Sequence, residues 1–108
     1  MAELTTVETV MLAALSDRPR YGYELVQRIS ELTDGRLSMR PGNLYRVLDR
    51  LLERGLVAET GAATANEDER RRYFRATALG RRVAANELAM YGMVLKRVPA
   101  LKEMLSDA

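Results

Sequence analysis

The chain has 108 residues, 47% hydrophobic and 30% charged, with a net charge of +2, which suits one domain with a modest core and argues against disorder. It has no Cys and no His, so disulfides, thiolate chemistry, the commonest general base and the commonest transition-metal ligand are all excluded. No paired carboxylates, phosphate-cradling Gly loop or activated Ser replace them, so neither catalysis nor a cofactor or metal is expected; no apolar run approaches the roughly 18 residues of a spanning helix and no signal peptide opens the chain, so a cytoplasmic protein is expected.

Thr5-Thr6-Val7-Glu8 has the Thr-x-x-Glu form of a capping box, followed by Val7, Val10, Met11, Ala14 and Leu15 at helical spacing. Ser16-Asp17-Arg18-Pro19 ends this first helix, because the residue before a proline is pushed away from helical dihedrals. Tyr21-Gly22-Tyr23-Glu24 opens a second helix with Leu25, Val26, Ile29 and Leu32 on one line, and Asp34-Gly35 supplies a left-handed stop. Arg36–Met39 is a short link.

The third helix, about 41–54, is the segment the chain is organised around. Leu44, Val47, Leu48, Leu51 and Leu52 form one apolar stripe, while Asn43, Arg46 and Arg50 stand on the other side. Pro41 fits the first helical turn and Gly55 the left-handed stop. An amide that can pair with adenine and two guanidinium forks that can pair with guanine or phosphate suit a major-groove reader; taken alone, they also suit a solvated amphipathic helix. Three helices with brief connections meet the requirement of a helix-turn-helix.

After Gly55 the period changes. Leu56–Thr60 and Arg72–Thr77 read as two strands, and the small, acidic stretch Gly61–Glu69 between them reads as a long mobile tip. A hairpin directly after a helix-turn-helix is a wing, whose arginines would meet the sugar-phosphate backbone. Thr77 then caps a long final helix. Its seam Ala84, Leu88, Tyr91, Leu95 and Val98 alternates steps of four and three, the pattern of a two-helix contact. Met90, Met93, Val94 and Met104 broaden the seam beyond what one small domain can cover, and Pro99 must kink or restart the helix. A homodimer joined through Leu88, Tyr91, Leu95 and Val98 is expected.

Charge is distributed in blocks. Residues 1–35 carry three Arg against six acids and 36–55 carry five Arg against two, whereas 56–69 have four acids and no base and 70–82 have six Arg and no acid. Positive charge thus concentrates on the third helix and on the second strand with its flanks, as a localised electrostatic footprint would require.

Tyr21-Gly22-Tyr23-Glu24, Pro41-Gly42-Asn43-Leu44-Tyr45, Gly55-Leu56-Val57 and Arg71-Arg72-Tyr73-Phe74-Arg75-Ala76-Thr77-Ala78-Leu79-Gly80 follow one another in this order. As a set they resemble the PadR-like family of bacterial transcriptional regulators over roughly residues 4–82. The resemblance implies a mainly α (α+β) fold: a winged helix-turn-helix DNA-binding domain over 1–77 with a two-stranded wing, and a C-terminal dimerisation helix over 78–108. It also implies a homodimer that binds a pseudo-palindromic operator on double-stranded DNA and represses. Carried over, Tyr23 becomes a phosphate contact, Asn43, Tyr45 and Arg46 lie at the DNA face, and Arg71, Arg72 and Arg75 lie near the backbone. Arg40 stands where the family usually has a small hydroxyl; it cannot cap the helix through an oxygen but can reach a phosphate. Asn43 and Arg46 replace a common Thr and Pro, so the bases read should differ. The wing tip lacks the usual Gly-Arg-Pro type turn and carries Glu67-Asp68-Glu69 instead, which favours the strand arginines over the tip as contacts.

Bland readings stand beside these. Tyr21 is read as core, Phe74 as packing under the wing, and Tyr45 as either core or DNA face. Arg81 and Arg82 oppose the dipole of the last helix, which suggests a phosphate partner unless they are simply solvated. Asp49 either pairs with Arg46 or Arg50 or is solvated. Some relatives hold a flat aromatic effector between dimer helices by tryptophan; this chain has no Trp, and Met11, Met90, Tyr91 and Met93 are read as dimer core sooner than as a cleft, so no effector is assigned. A winged-helix protein-interaction module without DNA binding is the rival reading.

Overall fold

The computed structural model describes residues 3–61 and 71–106; the acidic wing tip and Arg70 lie outside the described residues. Eight elements follow in order: α1 (Thr6–Ala14), β1 (Arg20–Tyr21), α2 (Gly22–Leu32), α3 (Pro41–Glu53), β2 (Val57–Thr60), β3 (Tyr73–Ala76), α4 (Ala78–Arg97) and α5 (Pro99–Ser106).

Local chemistry sets most of these boundaries. The capping box at α1 is complete: the Thr5 N–H donates to Glu8 Oε1 at 2.8 Å and the Glu8 N–H to Thr5 Oγ1 at 3.1 Å. The Glu24 carboxylate accepts the Tyr21 N–H at 3.2 Å at the start of α2. Asp34 and Gly35, with φ of 55° and 80°, turn the chain away at its end. α3 begins with Pro41 in its first turn and ends on a Schellman motif: Gly55 has φ 71°, its N–H donates to Leu52 O at 3.1 Å, and the Leu56 N–H donates to Leu51 O at 3.0 Å.

The apolar stripe of α3 is buried as its spacing requires. Leu44, Val47, Leu48 and Leu51 pack with Met11, Leu12 and Leu15 of α1, Leu25 and Ile29 of α2, and Phe74 of β3 in one core, with Leu52 at its edge. Phe74 is fully enclosed, in line with its reading as packing beneath the wing.

The expected two-stranded wing is present, and the sheet gains a further strand. It is antiparallel with three, in the order β1-β3-β2. β2 and β3 form the hairpin, with Val57 opposite Ala76 and Thr60 opposite Tyr73, while Arg20 and Tyr21 add a third strand opposite Phe74 and Tyr73. Two extended residues ahead of α2 carry no periodic signal, and only tertiary contact makes them a strand. Arg20 is held there by its own side chain, which donates to Ala14 O at 2.6 Å and to Asp17 Oδ1 at 2.7 Å while buried. The Arg20 guanidinium keeps the Asp17 carboxyl below its ordinary value.

The C-terminal segment is two helices, as Pro99 requires. Val98 leaves helical geometry at φ −122°, ψ 82°, and α5 restarts at Pro99. α4 is fastened to the body at its first turn. Thr77 Oγ1 accepts the Gly80 N–H at 3.0 Å and donates to Gly55 O at 2.8 Å, and the Thr77 N–H donates to Leu56 O at 3.0 Å. The turn that ends α3 and the turn that begins α4 therefore share one residue. Ala84 joins the common core, but beyond it α4 and α5 bury no side chain.

Glu8 does more than cap α1. Its buried carboxylate also lies 3.6 Å from Arg50 Nε and 3.7 Å from Arg54 Nη1, bridging α1 to the end of α3. Glu8→Ala should lower the unfolding free energy by about 2 kcal/mol, combining a lost cap with lost ion pairs. Glu8→Gln keeps the capping box and should cost about half as much. Urea denaturation of the pair checks this; a Glu8→Gln variant as stable as the wild type would mean that the arginine contacts contribute nothing.

Candidate nucleic-acid interface

The exposed side of α3 presents Arg40, Asn43 and Arg46 within its first turns. Among the described residues none of the three has a side-chain hydrogen bond or ion pair, so their donors and acceptors face solvent. Arg50, expected beside them, is drawn toward α1 by Glu8. A carboxylate packed under the helix is a stronger local partner than water, and nothing on the face of α3 itself foretells it.

Tyr23 lies next to this surface on α2, 64% exposed, and its hydroxyl accepts from Gln27 Nε2 at 2.9 Å. That bond occupies a lone pair and leaves the O–H proton to donate outward, as a phosphate contact requires. Tyr45 turns the other way. Its ring lies 6.3 Å from Phe74, and its hydroxyl sits so close to the first turn of α2 that a Cβ on Gly22 would come within 2.5 Å of it. Tyr45 is therefore half-buried packing between α2, α3 and β3.

The wing arginines separate by strand alternation. Side chains 72, 74 and 76 share one face of β3 and its approach, and 71, 73 and 75 the other. Arg71 lies over the Tyr21 ring at 4.4 Å, and Tyr21 makes an edge-on contact with Tyr73 at 5.5 Å. Arg75 is exposed on the same outer side. Arg72 points instead toward α3. It donates from Nε and Nη2 to the two carboxylate oxygens of Glu59 at 3.2 and 2.9 Å, and lies 5.0 Å from the Phe74 centroid and 5.8 Å from that of Tyr45. The fork holds the Glu59 carboxyl below its usual range and raises Arg72 above its already high value, with Asp49 adding a further negative charge nearby.

Gln27 and Glu59 were not singled out by sequence, and Glu8 was read only as the cap of α1. The register offers a signal for one of them: Glu59 lies opposite Phe74, which makes residue 72 its diagonal neighbour on the same face. Among the described residues no group of acidic residues could hold a metal ion, and no helix is long and apolar enough to cross a membrane. Met11, considered for a ligand cleft, is wholly buried in the core.

The model of the transcriptional regulator PadR-like family matches residues 11–86 of this chain. The chain belongs to the PadR-like family. Its fold is close to that of a PadR-like transcriptional regulator from Bacillus cereus, with a TM-score of 0.72 and 26% identity over 88% of this chain and 89% of the other. A PadR family regulator from Eggerthella lenta is 30% identical, over 91% of this chain and 82% of that one, with a TM-score of 0.66. PadR of Bacillus subtilis, solved in complex with operator DNA, shares the fold at a TM-score of 0.63 and 17% identity, over 77% of this chain and 46% of its own. The PadR-like match begins at Met11 and ends at Asn86, so it takes in both the helix-turn-helix and the hairpin. Arg40, Asn43, Arg46 and both outer wing arginines fall inside it.

Proposed function

We propose that this PadR-like chain is a cytoplasmic repressor that binds a pseudo-palindromic operator as a homodimer, with residues 1–77 as the DNA-binding part and 78–108 as the dimerising part. The observation that carries the reading is the solvent-facing set Arg40, Asn43 and Arg46 on a helix whose opposite side buries Leu44, Val47, Leu48 and Leu51. Asn43 and Arg46 read base edges; Arg40, Tyr23, Arg71 and Arg75 meet phosphates. The operator-bound state of the Bacillus subtilis relative supports the partner class. Arg50 acts from behind, through Glu8.

The dimer reading is supported by exposed apolar surface. Among the described residues, ten of the twelve exposed large hydrophobic side chains belong to α4 and α5 or cap their junction: Leu79, Leu88, Met90, Tyr91, Met93, Val94, Val98, Leu101, Met104 and Leu105. A patch of that kind on a small domain calls for a partner, and a second copy offers the same seam in an isologous contact with Leu95 alongside.

Titration of the purified chain against duplex DNA tests the reading. Affinity should fall steeply with salt, and a footprint should show half-sites about one DNA turn apart or a multiple of it. Arg46→Ala should relax base preference at its position by about 1–3 kcal/mol. Arg71→Ala should weaken selected and random duplexes alike and reduce the salt slope by about 0.9. Equal, small effects of Arg46→Ala on both duplexes would remove Arg46 as a reader.

A further inference from the structure

We propose that Glu59 and Arg72 form a clamp that seats the wing on the recognition helix, so that Arg72 acts as a positioning residue for base reading and not as a phosphate ligand. The proposal rests on the regulator reading above, and it departs from the expectation that all wing arginines meet the backbone.

The Arg72 guanidinium is engaged along one edge and across its plane. Its Nε–Nη2 edge is forked onto Glu59 of β2. Its guanidinium plane rests near two rings, Phe74 of β3 and Tyr45 of α3. Asp49, on the exposed side of α3, contributes a second carboxylate to its surroundings. One positive charge against two negative ones makes a poor site for a phosphate. What the contacts do achieve is a link between three elements. β2 holds the guanidinium, β3 carries it, and α3 receives it through Tyr45, which stands between the readers Asn43 and Arg46 in sequence and touches Gly22 of α2. A bidentate fork fixes an orientation that a single contact would leave free. Loosening it should let Tyr45 and the first turns of α3 shift relative to the groove, which degrades base discrimination and leaves general attraction to the duplex intact.

The test uses the full chain with two probes: a duplex selected by the wild-type protein from random-sequence DNA, and an unselected duplex of equal length. Arg72→Ala and Glu59→Gln, each checked for folding by circular dichroism, should reduce the preference for the selected duplex about fivefold. Affinity for the unselected duplex and the salt slope should stay at wild-type values. The swapped pair, Glu59→Arg with Arg72→Glu, should restore the preference, because the clamp needs opposite charges and not a particular order. The clamp is overturned if Arg72→Ala weakens both duplexes alike with a slope lowered by about 0.9, the signature of a lost phosphate contact. It is overturned equally if the folded variants bind as the wild type does, or if the swap restores nothing. A wild-type chain that selects no duplex overturns the regulator reading itself, and the clamp's role with it; a chain that does, with variants failing in these ways, overturns the clamp alone.

Discussion

Leu88→Arg is expected to convert the protein from dimer to monomer and to lower operator affinity about a hundredfold or more. Leu88 is 45% exposed on α4, one turn before Tyr91 in the seam that continues to Leu95 and Val98. An isologous contact brings each position in twice, so one substitution places two guanidiniums in an apolar interface, where desolvation is costly. The fold of each subunit should survive, since Leu88 contributes nothing to the shared core. Operator binding should not survive. Two linked readers gain from effective concentration a factor of about 10² to 10⁴ over one reader, and uncoupling them returns that gain. Light scattering gives the mass and a footprint gives the half-sites. A variant that stays dimeric would show that the partner sits elsewhere.

Gly80→Ala is expected to cost about 3 kcal/mol of stability, a large share of what a domain of this size possesses. A Cβ at this position would be driven into the backbone carbonyl of Leu56, with the Leu12 side chain 3.2 Å away on the other side. Backbone atoms cannot rotate aside as a side chain can. The carbonyl concerned accepts the Thr77 N–H, so relief of the clash breaks the bond that docks α4. Gly42→Ala is the control. No atom lies within 4 Å of its would-be Cβ and it sits inside a helix, so the change should be neutral or stabilising by up to about 1 kcal/mol. Thermal melts of the two variants should therefore move apart; similar shifts would mean that glycine entropy, not the close approach, governs position 80.

The legible parts of the fold were those written in local chemistry. The stripe on α3, Pro41 and Gly55 at its ends, the capping box at α1 and the break at Pro99 each depend on residues within a few positions of one another, and each appears where the spacing puts it. The third strand was not legible, because Arg20 and Tyr21 become a strand only by meeting residues more than fifty positions away. The candidate site was legible in its charge and not in its pairing. Arg46 and Arg50 look equivalent on a helical wheel, yet a buried carboxylate from α1 engages Arg50 and not Arg46. Arg71 and Arg72 look equivalent in the motif, yet neighbours in an extended chain face opposite ways, and one of them finds Glu59. Helical and strand periods show which side a cation leaves the chain, and only the packed neighbours show whether a counter-charge awaits it.

Thr77 gives the molecule a stiff elbow. Because the stop of α3 and the start of α4 hang on the same hydroxyl and amide, the tail and the rod formed by α3 are fastened to each other at the bend. Twenty residues of α4 make an arm about 30 Å long, so a change of roughly 6° in how two tails cross would carry each rod about 3 Å, close to the rise of one base-pair step. Operator spacing in such an assembly is thus geared to the crossing angle, and anything wedged between the tails, however slight, would throw the two rods out of step with the grooves.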